Sequence, residues 1–318
     1  MNAARLLMKE KSWTEEVEIQ GFLRDCELRR LSPETIEGYG SSLRISSQIL
    51  KLHGQSLNKL DKNSLRVILQ TLVEKGYVYN TLLQYFAALS GYYDYLIWEE
   101  IVQKNPVVPF RKRYVRKYKN QPPERKLISV DEMSMLINSI LEPRDKAIVT
   151  LLAKTGIRRG ELIRIDVEDI NWVEQSIRLK SHPKRTNCTV FFDDETACVL
   201  QRWIRNRENF QINEGCKALF LNERGGRLMR HGVTHAVTKH AERLGLHDSR
   251  SKSVEDHFTP HCCRHWFTTH LRRNGMRREF IQELRGDYRK EAVDIYDHID
   301  KKELKRAYLV TVPLLGIE

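Results

Sequence analysis

The stretch Lys154-Thr155-Gly156-Ile157-Arg158-Arg159-Gly160-Glu161-Leu162 ends one helical pattern and begins another. Ala147, Ile148, Leu151 and Leu152 recur at helical spacing before it. Thr155-Gly156 stops that helix, and residues 157–165 read as a separate one with Arg158 in its first turn. Such a junction directs a guanidinium and free backbone N–H groups at one place, which suits a phosphate. Glu161 follows Arg158 by three residues and can hold its orientation from the same helical face. On these residues alone, an ordinary helix-surface ion pair explains the pattern equally well.

Downstream the pattern turns mixed. Ile177-Arg178-Leu179 and Thr189-Val190-Phe191-Phe192 read as short strands joined by the cationic loop Lys180–Cys188, and so as a β-hairpin. Helices are expected from Asp193 onward. Within them, Thr259-Pro260-His261-Cys262-Cys263-Arg264-His265 opens with a cap and a first-turn proline. His261 and Arg264 share a face at i and i+3, whereas Cys263, Phe267 and Leu271 fall on a buried side. The positive end of the helix dipole favours a neutral His261, available as a base or acceptor. Zinc binding by His261, His265 and the cysteines is the competing reading. Adjacent cysteines chelate poorly, and no C-x-x-C exists in the chain. Further on stand Leu284-Arg285-Gly286-Asp287 and Asp294-Ile295-Tyr296-Asp297-His298; Tyr296 by itself would default to packing.

Upstream, residues 12–102 read as all helical. Ser32-Pro33 opens a helix through Leu52, Asp61 or Asn63 caps a second, and Asn80 starts a third with Leu82, Phe86, Leu89 and Tyr93 on one side. Its aromatic residues read as core. Charge then separates the parts. The 318 residues carry 54 Lys+Arg against 42 Asp+Glu, a formal charge of +12. Most of that excess lies in residues 103–126, where nine cations face a single Glu124. Pro106, Pro109, Pro122 and Pro123 bracket this segment, so 106–126 reads as an extended basic linker that grips nucleic acid. The expected organisation is a helical domain over 1–105, the linker, and a mixed α/β domain over 127–318.

Composition excludes other classes. With 41% hydrophobic residues, each part can bury a core. No apolar run is long enough for a membrane span, and MNAARLLMKEKSW contains no signal-peptide core. Six scattered cysteines then fit a reduced, cytoplasmic protein, and the basic segment adds the expectation that it is nucleoid-associated.

Taken in order, these pieces resemble the tyrosine recombinase (phage integrase) family over nearly the whole chain. Thr155, Gly156, Arg158, Glu161 and Leu162 match its T-G-x-R-x-x-E-L box, and His261 and Arg264 match H-x-x-R. Tyr296 follows Gly286-Asp287 as the family's nucleophile follows a Leu-x-Gly-His box. The R-G-D before the tyrosine and the segment KRTNCTVFFDDET look like the archaeal branch found on plasmids and viruses. The resemblance implies a mainly α fold: a SAM-like core-binding domain and a catalytic domain with a small β-hairpin. It implies site-specific cleavage and rejoining of an attachment site in double-stranded DNA through a covalent 3′-phosphotyrosine.

No metal, ATP or other cofactor is implied. Tyr296 would attack, Arg158 and Arg264 would clamp the phosphate, and His261 would accept a proton or hold the phosphate. Lys184 would protonate the leaving 5′-oxygen, with Lys180 as the other lysine in reach of that role. Glu161 would support the arginines. Asp287 departs from the family's usual His or Trp: an ionised carboxylate cannot donate to a phosphate oxygen, so pairing with Arg285 or Arg289 is expected instead.

DNA backbone contacts are expected from the linker residues Arg111, Lys112, Arg113, Arg116, Lys117 and Lys119. Arg185, Arg272, Arg273, Arg277 and Arg278 are further cations expected there. His231, His235 and His240 sit on one expected helix and read as a solvated face, or as a DNA contact. The apolar tail from Tyr308 to Ile317 packs either on its own domain or on a neighbour in a DNA-bound homotetramer. Two alternatives remain: a type IB topoisomerase, or a regulator that keeps the fold and has lost catalysis. Neutralising Arg111, Lys112 and Arg113 together should flatten the dependence of log K for duplex DNA on log salt by about 0.9 for each phosphate no longer neutralised. An unchanged slope would remove these residues from the DNA interface.

Overall fold

The structure, a computed structural model, describes residues 15–115, 126–181, 185–251, 253–287 and 299–317. The chain divides into two units, residues 1–120 and 121–318.

The first unit is helical. Its helices are α1 (Glu15–Leu28), α2 (Pro33–Leu52), α3 (Lys62–Glu74), α4 (Tyr79–Trp98) and α5 (Val107–Tyr114). Ser32 caps α2 by accepting from the Thr35 N–H at 3.3 Å, and Asp61 caps α3 by accepting from the Ser64 N–H at 2.7 Å. Phe22, Leu43, Leu50, Ile68, Phe86 and Leu89 close the core between them. Phe86 and Tyr93 are buried, as their spacing predicts, and Tyr85 and Tyr92 are buried with them. The Tyr93 hydroxyl donates to the Leu57 carbonyl and accepts from the Leu60 N–H, which satisfies the polar end of a buried ring.

Residues 107–114 correct the reading of an extended linker over 106–126. Val107 and Phe110 are buried in the first core, and the Phe110 ring stacks on Phe86 with centroids 5.4 Å apart. Pro109 does not prevent this helix. It occupies the third helical position, where the backbone N–H has no intrahelical acceptor to lose. Arg111, Lys112 and Arg113 fall in the last turn, where cations suit the dipole. Arg116, Lys117 and Lys119 lie outside the described residues.

The second unit is built on α7 (Pro143–Thr155), whose residues 147–155 are all buried. A helix buried on every side has to be covered on every side. α6 (Val130–Asn138), α9 (Asp194–Arg207), α10 (Arg230–Arg243) and α11 (Pro260–Arg273) supply the cover. Between α7 and α9 run the single-turn α8 (Arg159–Leu162) and the strands β1 (Ile170–Asn171), β2 (Ser176–Arg178) and β3 (Thr189–Phe191). The strands form an antiparallel sheet in the order β1-β2-β3, with Ile170 opposite Ile177 and Ile177 opposite Val190. The expected hairpin is therefore present, and it has gained an edge strand. The expected helix over 157–165 shrinks to one turn, and 208–229 forms turns rather than helix. α12 (Arg278–Arg285) and α13 (Lys301–Thr311) follow. No described helix is long and apolar enough to cross a membrane.

The segment after α13 docks on its own unit. Leu315 and Ile317 enter the main core. The Glu195 carboxylate accepts from the Leu315 and Ile317 N–H groups at 3.0 Å. The Leu315 carbonyl accepts from the Ser134 hydroxyl at 2.6 Å. Beneath lies Lys154, fully buried, which donates to Asp193 at 2.6 Å, to the Pro313 carbonyl at 2.6 Å, and to Glu195. Replacing Lys154 with Ala leaves the buried Asp193 and the half-buried Glu195 without their cation. A loss of about 3–5 kcal/mol in urea unfolding is expected, whereas a loss below about 1 kcal/mol would mean that the node carries no such weight.

Candidate active site

Gly156 ends α7 with φ of +61°, and its N–H bonds the Leu152 carbonyl at 3.0 Å. A side chain there would be strained by the left-handed backbone, and its Cβ would stand 2.3 Å from the Phe267 ring. The chain thus turns tightly and presents Arg158 as the N-cap of α8, one residue ahead of the first turn expected for it. Glu161 reaches back to accept from the Arg158 N–H at 2.7 Å and from Arg158 Nη1 at 3.1 Å. The supporting pair read from the sequence is present, and Glu161 is buried rather than on a solvated face.

Arg264 comes from α11 and is also buried. Its Nη1 donates to the Gly156 carbonyl at 2.6 Å, and its Nη2 donates to the Arg285 carbonyl at 3.0 Å. Burial first, then the neighbouring Arg158 and Arg285, push its pKa down to about 10, so it remains a cation at neutral pH. Arg158 Nη2 and Arg264 Nη2 converge at 3.0 Å on one oxygen, Asp287 Oδ1. Arg285 Nε lies 2.9 Å from the other oxygen, Oδ2. Pairing of Asp287 with Arg285 agrees with the sequence reading; its bridge between the two box arginines is an addition. Arg289 lies outside the described residues.

His261 stands in the first turn of α11, exposed, beside Arg158 and Arg264. With Ile157, Arg159, Thr234 and Thr259 these residues line a cavity of about 430 Å³. Arg159 Nη1 donates to the Thr234 hydroxyl at 2.9 Å and so joins α8 to α10 along one wall. Cys262 and Cys263 point into the core while His265 faces outward, so the four residues of the zinc reading do not gather.

Arg185 corrects a second expectation. Its side chain is fully buried and does not face DNA. It donates to Glu161 Oε2 and the Arg285 carbonyl at 3.1 Å, to the Leu284 carbonyl at 2.8 Å, and to the Asn187 carbonyl. With four of its five N–H donors spent inside the protein and no solvent exposure, this guanidinium is not presented to a phosphate. Arg185 instead ties the β2–β3 loop to the end of α12. The Thr186 N–H adds a bond to the Gly286 carbonyl at 3.2 Å. Gly286, with φ of +63°, has no room for a Cβ beside Arg185.

The other expected residues separate. Lys180 pairs with Asp169 at 2.8 Å and Asp166 at 3.0 Å, and these hydrogen bonds raise its pKa. Those partners hold its charge and make it a poorer proton donor than the reading of this residue required. Lys184 and Tyr296 lie outside the described residues. Arg272 and Arg273 are exposed at the far end of α11, roughly 12 Å along the axis from Arg264. Arg277 stands over the Phe280 ring at 4.2 Å. His240 is buried against Asp145 at 3.2 Å and belongs to neither reading given for it, whereas His231 and His235 are exposed. The sequence reading assigned no role to Lys154; its place beside an apolar helical run was readable, but its pairing with Asp193 and Glu195 belongs to the tertiary structure.

Matches to known proteins agree with this arrangement. The family model described as "Phage integrase family" matches residues 126–303, and "Phage integrase, N-terminal SAM-like domain" matches 19–100. The chain belongs to the phage integrase family. It is a tyrosine recombinase, an enzyme that breaks and rejoins DNA strands. Tyrosine recombinase XerC of Herpetosiphon aurantiacus is 31% identical over 85% of this chain and 86% of its own length. The Bacillus subtilis XerC is 26% identical over 88% and 91%. These relatives are bacterial, and the archaeal resemblance finds no support among them. In structure, the Tn1549 transposon integrase with circular intermediate DNA covers 92% of this chain and 98% of its own, at a TM-score of 0.65 and 21% identity. A lambda integrase dimer on a core site covers 95% and 83%, also at 0.65, with 15% identity. Both share the mainly helical two-part fold.

Burial raises the Glu161 pKa, but Arg185, the Arg158 N–H, Arg158 and Arg264 outweigh it and hold the carboxyl below its ordinary 4.5. Its folded value is depressed, so its contribution to stability is complete above the unfolded value and is lost as pH falls through the folded one. Glu161→Gln should therefore lower stability near neutral pH and flatten the acid limb below pH 4.5. Urea midpoints across that range test this, and parallel profiles for the two proteins would contradict it.

Proposed function

We propose that this recombinase acts on a specific site in double-stranded DNA and breaks each strand by attack of the Tyr296 hydroxyl on the scissile phosphate. The observation that carries the proposal is the convergence of Arg158 Nη2 and Arg264 Nη2 on one anionic oxygen. Two guanidinium groups fixed in that manner match the non-bridging oxygens of a phosphate and offset charge that builds in the transition state. Both are pre-set before any substrate arrives: Arg264 by the Gly156 carbonyl, Arg158 by Glu161. Neither guanidinium then has to reorganise at the moment of reaction.

Tyr296 needs to lose a proton whose ordinary pKa is about 10, and nearby cations favour the phenolate. His261, beside the arginine pair, accepts that proton or binds the phosphate. Lys184 protonates the departing 5′-oxygen. Arg185, the residue after Lys184 in sequence, is anchored to the end of α12. The arginines serve as the charge sink, so this route needs neither metal nor ATP, and the 3′-phosphotyrosine keeps the bond energy for rejoining. Arg111, Lys112 and Arg113 on α5, with Arg272 and Arg273, contact backbone phosphates. On DNA four copies assemble, and the tail held by Glu195 in the single chain docks on the equivalent node of a neighbour.

A suicide duplex that carries the attachment site and a nick tests the chemistry. The wild-type chain should give a covalent protein–DNA band, Tyr296→Phe none, and Arg158→Gln a rate lower by about 100-fold or more. Absence of any adduct would favour a DNA-binding regulator. Relaxation of supercoiled plasmid without a site would favour a topoisomerase.

A further inference from the structure

We infer that Asp287 is a built-in occupant of the phosphate seat, and that a DNA phosphate enters only by displacing it. This rests on the reading of Arg158 and Arg264 as the phosphate clamp. The geometry of the carboxylate supports it. Oδ1 takes the charged hydrogen bonds from both clamp residues, 3.0 Å from each Nη2. A non-bridging phosphate oxygen in that clamp would need the same two donors and the same point in space. The carboxylate and the phosphate therefore compete, and like charge prevents them from sharing the seat.

The surroundings let the side chain leave without unfolding its support. The Asp287 N–H bonds the Gln282 carbonyl at 3.1 Å, and Gly286 is tied to Thr186 at 3.2 Å. The Arg285 carbonyl is held by Arg264 at 3.0 Å and by Arg185 at 3.1 Å. The backbone is thus anchored on three sides, while the side chain is only partly buried. Arg285 Nε stands 2.9 Å from Oδ2 in an ion pair without a hydrogen bond, so its N–H is unspent and can take the carboxylate when Oδ1 swings away. Arg285 is then the resting partner of the displaced carboxylate. Before DNA binds, Asp287 neutralises arginines that would otherwise repel one another. Once a phosphate supplies that charge, the carboxylate is no longer needed between them.

Apparent affinity for an anion falls by the fraction of molecules whose seat is open. Removing the carboxylate removes that discount. The test is calorimetric titration of the full chain with inorganic phosphate at constant ionic strength. Asp287→Asn should bind phosphate about tenfold more tightly than wild type, the result of an open fraction near one in ten. Asp287→Asn with Arg158→Gln should lose the gain. Equal or weaker phosphate binding by a folded Asp287→Asn protein would overturn the inference and make Asp287 a plain positioning group. A gain that survives Arg158→Gln would overturn it too, because the anion would then be bound elsewhere. Should Asp287→Asn not fold, Asp287→Ala is read in the same way. The clamp itself is judged separately: Arg158→Gln that forms adduct on the suicide duplex at the wild-type rate would refute the clamp whatever the phosphate titrations show.

Discussion

Three guanidinium groups stand around one carboxylate in this protein, and like charges so close repel. Two unit charges about 6 Å apart oppose each other by roughly 3 kcal/mol at an effective dielectric constant of 20. Arg158 and Arg264 each reach within 3.0 Å of Asp287 Oδ1, so their facing ends lie inside that range. Much of the second unit can be understood as the means of holding that cluster together. Glu161, buried beneath, accepts from Arg158 and Arg185. Carbonyls at Gly156 and at the end of α12 receive Arg264 and Arg185. A clamp for a doubly shared anion therefore consists of cations on the outside and fixed acceptors behind them.

The same principle explains how separate segments meet. α7 delivers Arg158 through the Gly156 turn, α11 delivers Arg264, and α12 delivers Asp287. The β2–β3 loop is pinned to the end of α12 by Arg185, whose side chain has no solvent exposure. A second buried node, Lys154 with Asp193 and Glu195, starts one helical residue before the site and grips the chain's tail. The Tyr308 hydroxyl donates to the Lys154 carbonyl at 3.0 Å, so α13, the tail and the arginine turn share one stretch of backbone.

Much of this was legible in the residues. Ser32, Asp61 and Pro260 marked helix starts because capping and first-turn proline are local chemistry. Gly156 marked a stop for the same reason. The arginine and histidine boxes were legible because their order and spacing along the chain resemble the family's. The misreadings have one origin. Pro109 and the cations around it looked like a linker, yet Val107 and Phe110 found a core built by residues 19–96. Arg185 looked like a DNA contact because it sits in a cationic loop, yet its acceptors come from residue 161 and residues 284–285. His240 met Asp145 across 95 residues.

The sequence by itself determined the helical character of the first unit, the hairpin, the positions of the arginine and histidine boxes and the excess of positive charge. These depend on spacing along the chain and on side-chain chemistry, which one strand of letters carries in full. Tertiary structure alone decided which cations face outward and which are spent within. It placed Asp287 between the two arginines, buried Arg185 and Lys154, and set the tail on Glu195. Each of those outcomes depends on a partner more than twenty residues away. A charged group's role is fixed by its desolvation and by the partner it meets, and neither is a property of its neighbours in sequence.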